Sequence, residues 1–75
     1  MPVMADIQLD SRGLQPPEPM VKILAALRAL ADGDRLVVAM DREPVLLYSE
    51  LERRGYAWTF VEEEQTLTVF RDASG

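Results

Sequence analysis

Residues 56–70, YAWTFVEEEQTLTVF, decide the fold. On both sides of Glu62–Gln65, apolar and polar positions alternate, the period of a strand with one buried face. A turn at Glu63–Glu64 sets Phe60 opposite Leu67 and Trp58 opposite Val69 on one side. Ala57–Phe70, Thr59–Thr68 and Val61–Thr66 then oppose each other on the other side. A slip of one residue would mix the bulky apolar set with the small and polar one, so the pattern selects a hairpin in this register. The bulky set is expected to face helices, and the mixed set to face water or a partner. The Glu-rich turn lacks the glycine or asparagine of a tight primed turn, which leaves its residues open.

Immediately before the hairpin, Arg53 and Arg54 suit the negative end of a helix dipole, and Gly55 suits a left-handed stop. Leu47, Tyr48 and Leu51 form the apolar stripe of that helix. Pro44 is expected at its first helical position with Glu43 as the cap. The nearly continuous apolar run Arg35–Met40 reads as a central strand. Further upstream, Met20, Ile23, Leu24, Leu27 and Leu30 recur at helical spacing. That helix is expected to end at Asp32–Gly33. Pro17 and Pro19 fit its first turn, where N–H groups lack intrahelical partners, and Glu18 complements the positive end of the dipole. From Asp6, the alternation Asp-Ile-Gln-Leu-Asp gives one more strand, and Gly13 supplies the turn after it. Residues 1–5 read as a frayed end.

The expected fold is therefore an α+β two-layer sandwich in the order β-α-β-α-β-β. Two helices pack on one face of a four-stranded mixed sheet, in a single domain over residues 1–75. The other sheet face, carrying Val37, Ala39, Ala57, Val61 and Phe70, is only partly polar and offers a contact surface.

Composition narrows the function. The chain has no cysteine and no histidine, which removes thiol nucleophiles, imidazole bases and the usual ligands of zinc, haem and iron–sulfur clusters. No metal, cofactor or catalytic residue is expected. Thirteen acidic residues against eight basic ones give a net charge of −5. That balance argues against nucleic acid and against an anionic membrane surface, both of which call for a basic face. With no apolar run of membrane-spanning length and no leader pattern, a cytoplasmic protein is expected.

Leu9-Asp10-x-Arg12-Gly13-Leu14-x-Pro16-Pro17-x-Pro19 resembles the signature of the TusA-like (SirA-like) sulfur-carrier family, Leu-Asp-x-x-Gly-Leu-x-Cys-Pro-x-Pro at a strand-to-helix junction. The element order is similar as well, over essentially the whole chain. The resemblance implies a cysteine bearing a persulfide, but Pro16 stands in its place, so sulfur carriage does not transfer. Gly13–Pro19, Asp41–Pro44, Leu47-Tyr48 and Arg54-Gly55-Tyr56 resemble more closely a cysteine-less branch, the group of domain of unknown function 2249. Some members of that branch carry histidines near both proline motifs. Here Glu18–Met20 and Asp41-Arg42-Glu43 occupy those places, so a histidine-based metal or haem site does not transfer either.

The candidate interaction residues are Arg12, Gly13, Pro16, Pro17, Glu18 and Pro19 in one loop and Asp41, Arg42 and Glu43 in the other. Both loops follow parallel strands, so they should emerge at one end of the sheet as a single patch. The prolines stiffen the helix start and also remove N–H donors that an anion would use. Asp41-Arg42-Glu43 reads first as a helix cap with a surface ion pair, because a deep pocket for acid–base chemistry is not expected in so small a sandwich. The expected function is a non-enzymatic interaction or accessory module that binds a protein partner, as a monomer or weak dimer. The resemblance implies a link to sulfur, redox or respiratory metabolism. The alternative is a module for a small anionic ligand held by Arg12 and Arg42.

Overall fold

The computed structural model describes residues 5–71. The elements are β1 (Asp6–Asp10), α1 (Glu18–Arg28), β2 (Arg35–Ala39), α2 (Val45–Arg53), β3 (Tyr56–Val61) and β4 (Thr66–Arg71). They form the expected β-α-β-α-β-β order, with one four-stranded sheet arranged β1-β2-β4-β3. β1 and β2 run parallel, and β4 is antiparallel to both of its neighbours, which makes the sheet mixed. Of the expected frayed end, residues 1–4 lie outside the described residues.

The hairpin adopts the register set by its alternation: Ala57↔Phe70, Trp58↔Val69, Thr59↔Thr68, Phe60↔Leu67 and Val61↔Thr66. Glu62–Gln65 form the loop. Gln65, at φ 50°, takes the left-handed position that glycine or asparagine would otherwise fill. Across the sheet the register aligns Ile7, Leu36, Val69 and Trp58 in one row, and Leu9, Val38, Leu67 and Phe60 in the next. Ile23 and Leu27 from α1 and Leu47 and Leu51 from α2 cover those rows in one continuous core. The opposite face carries Val37, Ala39, Ala57, Thr66, Thr68 and Phe70, all half-buried, and Val61, which is exposed.

Two helix ends differ from expectation. α1 stops at Arg28 rather than running to Asp32–Gly33. Ala29 and Leu30 donate to Ala26 O and Leu27 O, both at 3.1 Å, so the last turn tightens and Leu30 drops into the core. Asp34 then holds the following turn, accepting the Ala31 N–H on its carboxylate at 3.2 Å while donating its own N–H to Ala31 O at 3.0 Å. At the other helix, Val45 rather than Pro44 is the first helical residue, and Glu43 is not its cap. Val45 N–H closes a tight turn onto Glu43 O at 3.0 Å, which holds Pro44 at ψ 66°, outside the helical range. Gly55 takes the left-handed stop after α2 as read, at φ 85°. Among the described residues, no helix is long and apolar enough to cross a membrane.

Candidate functional site

The inward alternation of the two parallel strands runs one step beyond each of them, through Ile7–Leu9–Ser11 and Leu36–Val38–Met40. Ser11 and Met40 are consequently buried side by side where the loops leave the sheet. Ser11 N–H donates to Ala39 O at 3.0 Å, and its Oγ lies 2.8 Å from the same carbonyl and 3.2 Å from the Met40 sulfur. These bonds satisfy the one buried polar side chain among the core residues and fix where both loops begin.

The two loops do form one patch. Gly13, at φ 82°, turns the first loop so that its N–H reaches the Asp41 carboxylate of the second at 2.7 Å. Arg12 points elsewhere. Its Nε and Nη2 meet the two Asp10 oxygens at 3.0 and 2.9 Å, and its N–H also donates to Asp10 at 3.0 Å. The Arg12 side-chain bonds, followed by its backbone bond, hold the Asp10 carboxyl down to about 2, and Arg12 is raised in return.

Between the loops lies a cleft of about 440 Å³, in a place where a deep pocket was not expected. Pro16, Pro17 and Pro19 line one side, with Leu14 and Met20. Val45, Leu46 and Leu47 line the other, with Asp41, Arg42 and Glu43 at the mouth. The cleft exists because both helices begin several residues after their strands end. The rigid proline loop and the Glu43–Val45 turn hold those starts apart. Leu46 is 84 % exposed on the rim, whereas Leu47 beside it is 2 % exposed and closes the floor.

The structure therefore sorts the candidate residues. Pro16, Pro17, Pro19, Asp41, Arg42 and Glu43 line the cleft, while Arg12, Gly13 and Glu18 stand outside its lining. The expected ion pair within Asp41-Arg42-Glu43 does not form among the described residues. Asp41 is bonded to Gly13, and Glu43 accepts from the Tyr48 hydroxyl at 3.0 Å. Tyr48 stacks on Trp58 with ring centroids 4.9 Å apart and 15° between the planes. Burial first, and then the bond to the Glu43 carboxylate, push the Tyr48 phenol up to about 12. Ser11, Met20, Met40 and the Val45–Leu47 wall were not identified as site residues from sequence, although Met20, Met40 and Leu47 were placed in their helices and strand. For Ser11 and Met40 the strand alternation carried the signal; for Leu46, an apolar residue out of phase with the Leu47–Leu51 stripe was the available clue.

The family model described as "Uncharacterized conserved protein (DUF2249)" matches residues 8–71, a span that takes in both loops, both helices and the hairpin. No solved structure matches the chain.

Proposed function

The chain belongs to the DUF2249 family of uncharacterised conserved proteins, and from that premise we propose that it is a non-enzymatic docking module. The cleft receives a bulky apolar side chain of a partner polypeptide. The observation that carries this reading is the lining of prolines, Leu14, Met20, Val45, Leu46 and Leu47, which offers an apolar anchor a site and has a carboxylate-bearing mouth. The net charge of −5 favours cationic residues beside that anchor. Kinship with the TusA-like carriers, and with it a place in sulfur, redox or respiratory metabolism, is supported by the Leu9–Pro19 motif and the element order. In that kinship Pro16, at the carrier cysteine's position, lines the cleft, and recognition takes the place of sulfur transfer.

The anion-binding alternative is less well supported. Arg12 commits its guanidinium to Asp10, so of the two arginines only Arg42 borders the cleft, beside Asp41 and Glu43. Pro17 and Pro19 also withdraw two N–H donors from the start of α1.

The test is selection of a random peptide library on the immobilised chain, with binding mapped by amide shifts on isotope-labelled protein. The expected peptides share one bulky apolar residue next to lysine or arginine. They shift Leu14, Met20 and Leu46, and they are lost with Leu46→Glu, a rim substitution that leaves the fold intact. Enrichment of acidic peptides, or shifts confined to the hairpin, would sink the proposal. A rise in melting temperature with inorganic phosphate that vanishes in Arg42→Ala would favour the anion reading instead.

A further inference from the structure

The two edges of the sheet are built differently. β1, at one edge, carries an aspartate at each end, and both aspartates are engaged, Asp6 by Arg35 and Asp10 by Arg12. β3, at the other edge, reads Tyr-Ala-Trp-Thr-Phe-Val, with no charge and no proline along its length. Edge strands ordinarily carry such guards because every second N–H and C=O points away from the sheet and is free to pair. On β3 the consequence extends to the side chains. Tyr56, Trp58 and Phe60 stand on the helix-covered face, yet each is only half-buried, because the sheet stops beside them.

The charges nearest this strand differ in sign at its two ends, with Glu50 and Glu52 lying further back on α2. Arg53 and Arg54 precede it, and Glu62, Glu63 and Glu64 follow it. We propose that β3 is a self-association edge, pairing antiparallel with β3 of a second copy of this chain about a twofold axis perpendicular to the sheet. Such an axis reverses strand direction and keeps the helices of both copies on the same face. Because paired residues must share a face, the axis passes through Trp58 or Thr59 rather than between them. Either register brings Arg53–Arg54 of one copy beside the Glu62–Glu64 run of the other, twice by symmetry. A parallel arrangement would place like charges together. Arg53 and Arg54 are 72 % and 42 % exposed in their pairs with Glu50, so they can reach across the new interface. Trp58 and Phe60 bury further ring surface against the second copy. The edge lies across the sheet from β1 and does not include the cleft lining, so this surface and the docking cleft do not overlap.

Sedimentation equilibrium of the full chain over micromolar to millimolar concentration tests this. The mass is expected to rise reversibly from 8.4 kDa toward twice that value. Salt should shift the equilibrium back toward monomer, because the flanking charges are exposed. Thr59→Lys, at an exposed edge position, sets two ammonium groups beside the axis and should weaken association by about tenfold or more. Glu63→Arg with Glu64→Arg should weaken it too, and mixing that variant with Arg53→Glu/Arg54→Glu protein should restore a mixed dimer. Far-UV circular dichroism confirms that each variant is folded. A monomer at every concentration overturns the proposal, and so does a dimer indifferent to Thr59→Lys. Peptide binding at the cleft is read separately and is expected to survive Thr59→Lys.

Discussion

The two strand-to-helix junctions are made of the same ingredients, an aspartate, an arginine and proline, and are held in opposite ways. The charged side chains of the first close on each other. Asp10 and Arg12, two residues apart and 58 % and 62 % exposed, grip each other, and the prolines set the path into α1. The second reaches outward. Asp41 holds the Gly13 N–H of the first loop, while Glu43 holds the Tyr48 hydroxyl, and through it the stack on Trp58 of β3. Carboxylates that suggest an acid–base pair in the sequence are thus struts. The charged side chains of the first junction pair with each other, whereas the carboxylates of the second brace the neighbouring loop and its own helix. The backbone of the first is tied to the second through Ser11 and Gly13.

That contrast is most severely tested by truncating the apolar residue behind each junction. Leu47→Ala empties a floor position that is 2 % exposed and should cost about 2–5 kcal/mol in urea unfolding. Leu14→Ala, at a half-buried position of the first loop, should cost well under half of that. Equal losses would mean that the first loop carries as much of the fold as the second, and the contrast would be gone. Next in size is Asp41→Ala, which removes the strut between the loops and leaves the Gly13 N–H to water. A loss of about 1 kcal/mol is expected, together with weaker peptide binding at the cleft, read by the same unfolding curves and by titration. A loss of stability with no change in peptide binding would separate the strut from the shape of the site.

How far the sequence could be read follows the same division. The hairpin register was legible residue by residue, because period-two alternation of bulky and small side chains leaves one pairing that buries Trp58, Phe60, Leu67 and Val69 together. The element order and the central place of Arg35–Ala39 also follow from segments of clear period. The end of α1 was not legible. Ala29-Leu30-Ala31 favours helix locally, and only the Asp34 carboxylate and the burial of Leu30 divert the chain. Nor was the cap of α2, where Glu43 has a competing partner, Tyr48, that lies on the helix itself. The patch shared by the two loops was legible from parallel-strand topology. The cleft within it was not, since its volume depends on how far apart two helix starts are held, which no single residue encodes.

The outward reach of the second junction can be sharpened by titration. Tyr48 should ionise near 12, above the ordinary 10.0 of a tyrosine, in an ultraviolet absorbance titration. Its folded value is raised above the ordinary 10.0, so the stability it contributes is fully present below pH 10.0 and is lost as pH rises toward about 12. Glu43→Gln should lower the Tyr48 value by removing the carboxylate, but only in part, because burial is the larger cause. A full return to 10.0 would reverse that ranking. An unchanged value would mean that the Glu43 contact is not maintained in solution.

The smallest effect is expected at the first junction, where Asp10 and Arg12 are both open to water. The sign is the opposite of that for Tyr48. The folded Asp10 carboxyl sits at about 2, below its ordinary 3.8, so its contribution is present above pH 3.8 and disappears as pH falls through about 2. Solvent screens an exposed pair, so the gain in stability is slight even though the shift is clear. Comparing urea midpoints of the parent chain and Asp10→Asn along an acid series should therefore show a small gap at neutral pH that closes between pH 3.8 and about 2. The gap should also shrink in salt, as befits an exposed pair. The Asp41→Ala deficit should respond less to salt, because it includes a direct bond between the loops. If Asp10→Asn instead costs as much as Asp41→Ala, the arginine clamp is shaping the cleft from outside, and the charged pair of the first junction is no longer the self-contained one.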